Sequence, residues 1–186
     1  MKRLTLSFIV LASGHFLLAS KCPRTSNGNA AQSTDEEVVS ALGSTSSEEA
    51  TRAVAEVMHR GERMIPHLVR MRGCRNVFFG AGLGNPHSSQ LIPAKSVPGL
   101  PAIPLEQAAL FLIVGIYNQN LSFAESPYLA DLTLRPQDRK ASTSKSLNRR
   151  AWKSVLAWNR RRKDRTLESA RANNDAPLKG AMVGFW

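Results

Sequence analysis

The stretch Leu105-Glu106-Gln107-Ala108-Ala109-Leu110-Phe111-Leu112-Ile113-Val114-Gly115-Ile116-Tyr117-Asn118-Gln119-Asn120 decides how this chain folds. From Ala108 to Tyr117 it is apolar on every side of a helical projection. A helix at a protein surface keeps one polar face, whereas a helix that is apolar all round has to be enclosed by others. The run is too short to cross a bilayer, which takes about 20 apolar residues. It predicts a core helix over 105–121, and with it an all-α fold class: a single small helical domain over 34–186, of about five to seven helices.

On its N-terminal side the signals are helical. Thr34-x-x-Glu37 and Ser46-x-x-Glu49 both have the form of a capping box, in which a hydroxyl and a carboxylate satisfy the free amides of a first turn. Val38, Val39, Ala41 and Leu42 follow the first, with Gly43 as its stop. Ala50, Ala53, Val54, Val57 and Met58 follow the second at helical spacing, with Gly61 as its stop. A third helix is expected over 62–72, with Ile65, Leu68, Val69 and Met71 inward, Pro66 in its first turns and Gly73 at its end.

Within this 34–72 region, the segments Glu48 to His59 and Gly61 to Arg72, with the run Met64-Ile65-Pro66-His67-Leu68-Val69, resemble a HEAT-type helical hairpin. Solenoids need about three repeats for stability, and no second copy is present. The resemblance therefore implies one hairpin with a binding surface, not an array.

Residues 73–104 carry Gly80, Gly82, Gly84, Gly99 and five prolines from Pro86 to Pro104. They read as a long Gly/Pro-rich loop with a short strand at Asn76 to Phe79. Residues 122–135 read as an ordered loop. Ser144 then caps a long helix over 145–163, followed by a shorter one over 166–172; together they form a basic C-terminal helical region, 144–172. On the long helix Leu147, Ala151, Trp152, Val155 and Trp158 fall on one arc. Arg149, Lys153, Arg160 and Lys163 fall opposite, flanked by Arg150 and Arg161. Both tryptophans thus belong to the core side. The apolar end, Met182 to Trp186, is expected to fold back onto the domain.

The net charge of +11 is concentrated here. Up to Leu134 the chain has 11 Lys/Arg against 10 Asp/Glu; from Arg135 onward it has 14 against 4. That asymmetry points to an anionic partner for the C-terminal end. The candidate surface is Arg149, Arg150, Lys153, Arg160, Arg161 and Lys163. The partners it fits are another protein or an anionic envelope component, lipid or polymer. Nucleic acid is disfavoured, since it would want the tryptophans exposed among the cations for stacking.

The N-terminus supplies an address. Lys2 and Arg3 precede a mostly apolar run from Leu4 to Leu18, then Ala19 and Ser20. That order reads as a secretory signal peptide over 1–20, followed by a Ser/Asn/Thr/Gly-rich tether over 21–33, so the expected localisation is periplasmic or secreted. Leu18-Ala19-Ser20 resembles the box that precedes the acylated cysteine of bacterial lipoproteins, but Lys21 stands between it and Cys22 and argues against lipid anchoring. Export permits a disulfide between Cys22 and Cys74, the two cysteines of the chain. Two free thiols, or a lipidated Cys22 with a buried Cys74, are the alternatives.

No catalytic constellation emerges. Gly80-Ala81-Gly82-Leu83-Gly84 has its third glycine one residue early for a dinucleotide fingerprint, and no helix opens after it. His59, His67 and His87 lack metal-ligand spacing, so no metal is expected, and no cofactor. Glu36, Glu37, Glu48, Glu49 and Glu106 sit where they complement helix dipoles. The expected function is a non-enzymatic, macromolecule-binding helical module. One alternative is a small enzyme with its site in the loop near Cys74 to Pro104. The other is a nucleic-acid binder whose N-terminus is not a signal peptide.

Overall fold

The computed structural model describes residues 33–80, 83 and 102–186. The elements run α1 (Asp35–Ala41), α2 (Ser47–Arg60), a 3-10 turn (Gly61–Met64), α3 (Ile65–Val69), α4 (Leu105–Asn118), β1 (Leu129–Asp131), a 3-10 turn (Pro136–Asp138), α5 (Lys145–Arg161), α6 (Leu167–Ala172) and β2 (Val183–Phe185). The expected signal peptide, all of the expected tether except Ser33, and the centre of the Gly/Pro-rich loop lie outside the described residues.

α4 is the hub. Every residue from Leu105 to Tyr117 is buried. α2 and α3 pack on one side of it, with α1 resting on both, and α5 packs on the other. Its termini are tied by polar groups. At the N-terminus the carboxylate of Glu106, almost wholly buried, accepts the Gly73 amide at 2.8 Å and pairs with Arg75 at 3.0 Å. At the C-terminus Gln119 takes the left-handed conformation (φ 63°), and Arg171 donates to the carbonyls of Ile116 and Tyr117. A cation there also complements the helix dipole. Leu121 closes over the helix end and packs so near Gly115 that a Cβ there would force its side chain to shift.

The caps behave as the sequence suggests, with one exception. The Thr34–Glu37 box is complete: Glu37 N–H donates to the Thr34 hydroxyl at 3.2 Å, and Thr34 N–H to the Glu37 carboxylate at 2.7 Å. The second box is half made. Ser46 accepts from Glu49 N–H at 3.4 Å, but the Glu49 carboxylate accepts from the Ser44 hydroxyl instead.

The domain is mostly helical, as expected, but two short strands add a small antiparallel sheet that an all-α reading omits. Leu129 pairs with Phe185, Ala130 with Gly184 and Asp131 with Val183. Three-residue strands carry too little alternation to register as a period, and their pairing spans more than fifty residues of sequence. The sheet is the means by which the chain end folds back. Phe185 meets Phe111 edge-on, ring centroids 5.0 Å apart, and Phe123 lies against both.

The expected helix over 62–72 is shorter than its periodicity implies. Gly61, at φ 63°, ends α2, a 3-10 turn follows, and α3 is a single turn and a half entered at Pro66. The strand expected at Asn76 to Phe79 is an isolated bridge, Val77 to Pro104, with Phe78 N–H on the Ile103 carbonyl at 2.9 Å.

Candidate functional site

α5 carries the candidate surface. Its inner arc is as expected: Leu147, Ala151, Trp152, Val155 and Trp158 are buried. Trp158 donates its indole N–H to the Asp175 carbonyl at 2.8 Å and meets Tyr117 edge-on. The buried Asn148 amide donates to the Gln107 carbonyl oxygen at 3.0 Å, and Gln107 donates in turn to the Pro127 and Ser142 carbonyls. This polar chain locks α5 against α4 and the loop before β1, because a one-turn slip would strand buried donors.

The basic side of α5 divides into two stripes with different work. Arg150, Ser154, Trp158 and Arg161, spaced i, i+4, i+8 and i+11, face the returning C-terminal segment. The Arg150 guanidinium pairs with Asp131 at 3.0 Å and donates to the Met182 carbonyl at 2.8 Å. Ser154 donates to the Pro177 carbonyl at 2.9 Å. Arg161 pairs with Asp175 at 2.8 Å. Arg150 and Arg161, both named for the anionic-partner surface, are each paired with an acid of the domain, and Arg161 stays exposed.

The outward stripe is Lys145, Arg149, Lys153 and Arg160, with Lys163 just past the helix end. All five are exposed, and none has a carboxylate within ion-pair distance among the described residues. At 100° per residue Lys145 to Arg160 occupy roughly 80° of arc along about 22 Å of helix. Half-buried Leu156 lies within the same arc.

The run Arg160-Arg161-Arg162-Lys163 therefore splits three ways. Arg160 and Lys163 face outward and Arg161 holds Asp175. Arg162 turns inward, 7% exposed, its guanidinium 4.9 Å from the Trp158 ring centroid and paired with Glu62 at 2.7 Å. Glu62 also accepts the Leu167 amide at 3.2 Å, so one carboxylate joins the 3-10 turn to the start of α6. Nothing in a run of four consecutive cations distinguishes these roles. Glu62 gives no signal either, because an acid in the first turn of the helix expected over 62–72 is already accounted for by the helix dipole.

Asp131 lies below its ordinary 3.8. The Thr133 hydroxyl contributes most, then the Thr133 amide, with Arg150 adding to both.

A cleft of about 370 Å³ opens between Met58, Glu62, Ile116, Leu167 and Arg171. Its best-placed charged groups, Glu62 and Arg171, are committed to Arg162 and to the α4 carbonyls. Among the described residues no group of three His, Cys, Asp or Glu side chains could hold a metal ion. Cys74 is fully buried and no cysteine among the described residues is free; Cys22 and His87 lie outside them. No described helix is long and apolar enough to cross a membrane.

No family model, no curated protein and no solved structure matches this chain.

Proposed function

We propose that this protein is a non-enzymatic binding module that recognises an anionic macromolecular surface through the outward stripe of α5. The observation that carries the reading is the separation of charges on that helix: Arg150, Arg161 and Arg162 are each paired with an acid of the domain, whereas Lys145, Arg149, Lys153, Arg160 and Lys163 are left in line and without acidic partners among the described residues. Each cation near an anionic surface contributes on the order of 1 kcal/mol, screened by salt.

Export is part of the proposal. The charge–apolar–small order of residues 1–20 supports it, and it places the domain among lipid headgroups and envelope polymers rather than nucleic acid. A Cys22–Cys74 disulfide belongs to the same reading. It is supported by the lack of a free cysteine among the described residues, and a non-reduced intact mass two hydrogens light is its check.

Retention on a heparin column, with heparin as a stand-in polyanion, tests the function. The variant R149E/K153E/R160E/K163E is expected to elute at far lower salt than the unmodified protein while keeping its helical circular dichroism. Unchanged elution would overturn the proposal.

A further inference from the structure

Among the described residues four large apolar side chains are exposed: Leu132 (37%), Leu134 (46%), Met182 (51%) and Trp186 (43%). Singly such residues need no explanation, but a contiguous group does. The small sheet gathers three of them at its two ends. Leu132 N–H donates to the Met182 carbonyl at 3.0 Å, and Trp186 N–H to the Tyr128 carbonyl at 2.8 Å, extending the β1–β2 register at both ends. Side chains alternate along a strand. Leu129 and Val183 face the core, and Tyr128 and Ala130 on the opposite face are buried too; Leu132 and Met182, the latter at φ 51°, stand just past one end of the strand pair, and Trp186 stands at the other. Leu132 lies over Gly184, and the positions between the two ends, Tyr128, Ala130 and Gly184, carry no charge. Leu134 lies two residues beyond Leu132.

Cations rim this edge. Arg150 donates to the Met182 carbonyl, Arg139 donates to the Leu134 carbonyl at 3.1 Å, and Arg135 adjoins Leu134 in sequence. The acids of the rim, Asp131 and Asp138, are each paired, with Arg150 and Arg135. Around α5, Arg150 is next to Arg149 and Lys153 of the outward stripe, so the apolar edge and the free cations adjoin along one side of the molecule.

We infer that the partner is an anionic lipid bilayer: the Leu132–Met182–Trp186 edge enters the headgroup region while the outward stripe of α5 lies along the phosphates. This rests on the α5 reading and names its partner. A soluble polyanion would engage the cations and leave the apolar edge in water. A bilayer surface takes both, and an amphipathic indole is suited to its interface.

The test is co-sedimentation of the full chain with vesicles of phosphatidylcholine alone or mixed with phosphatidylglycerol, with a second set carrying brominated acyl chains. Binding is expected only with phosphatidylglycerol present, weakening as salt rises. Brominated lipid should quench tryptophan emission; Trp152 and Trp158 are buried, so the quench reports Trp186. L132S/M182S/W186S should bind vesicles about ten- to hundredfold more weakly, as expected for losing the burial of apolar side chains. Its elution from heparin should not change. Heparin retention without vesicle binding, vesicle binding without quenching, or a dimer of the unmodified protein that the triple serine variant converts to monomer would each overturn the lipid inference and leave the α5 proposal standing. Loss of both heparin and vesicle binding in the unmodified protein would overturn both.

Discussion

α4 and α5 are the two long helices of the C-terminal half, packed against each other, and they use opposite means of holding the domain together. α4 is enclosed by apolar contact on every side, with polar groups only at its ends. α5 buries one arc of apolar residues and ties the chain end with the polar groups beside that arc. A sustained apolar pattern such as that of α4 reports burial, because enclosing it removes the most apolar surface from water. Cationic pattern does not report exposure, because a guanidinium can face water, bridge two elements, or lie over an aromatic ring.

If α4 is the hub, truncating it should cost most. Leu112 is wholly buried within the main core. Leu112→Ala is expected to lower unfolding free energy by about 2–5 kcal/mol, the transfer of the lost atoms plus the cavity they leave. Urea denaturation measures it. A loss near 1 kcal/mol would mean that the surrounding helices collapse around the gap, and that α4 is less confined than its burial implies.

The inward charge of α5 comes next. Removing Glu62 leaves the Arg162 guanidinium buried against Trp158 with no counter-charge, and strips the Leu167 amide of its acceptor. Glu62 is itself 43% exposed, so water can partly replace it. Glu62→Ala is therefore expected to cost about 2 kcal/mol, less than the 3–5 of a fully buried pair. Double substitution with Arg162→Met should recover part of that loss, since an uncompensated charge is the larger penalty.

The two stripes can be separated by neighbouring substitutions. Arg150→Ala removes the ion pair to Asp131 and the donor to the Met182 carbonyl, and is expected to cost about 1 kcal/mol. Arg149→Ala, one residue away, should stay within about 0.5 kcal/mol of the unmodified protein in stability and lower heparin affinity instead. Equal effects on stability would mean that the division into tying and free cations is wrong.

The same contrast governs what was legible in the sequence. The core helix, the first capping box, the Gly61 stop and the inward tryptophans follow from local pattern and are found where pattern puts them. The small sheet was not legible, because Leu129 to Asp131 and Val183 to Phe185 are too short for alternation to speak, and the pairing is non-local. Nor was the division of the cations. The partners that decide it, Asp131, Asp175 and Glu62, are scattered through the chain and brought together only by the fold. Arg171 belongs to the same class: a cation in a short helix whose targets are carbonyls more than fifty residues away.

The smallest expected effect is the titration of Asp131. Asp131 is held below its ordinary 3.8 in the folded protein, first by the Thr133 hydroxyl and amide and then by Arg150. A carboxyl with a depressed folded value favours folding while it is ionised. Its contribution is fully present above the unfolded value of 3.8 and is lost as pH falls through the lower folded value. Asp35, which Arg60 holds down in the same direction, loses its contribution over the same range, so acid destabilisation of the whole domain cannot by itself be assigned to Asp131. Asp131→Asn makes the assignment. The stability difference between the unmodified protein and this variant should be constant above 3.8 and shrink below it, whereas the difference made by Arg149→Ala, which has no titrating partner among the described residues, should not depend on pH there. A flat difference for Asp131→Asn would mean that neither Thr133 nor the Arg150 ion pair favours the ionised Asp131 in the folded domain, and that Arg150 ties the chain end through the Met182 carbonyl instead.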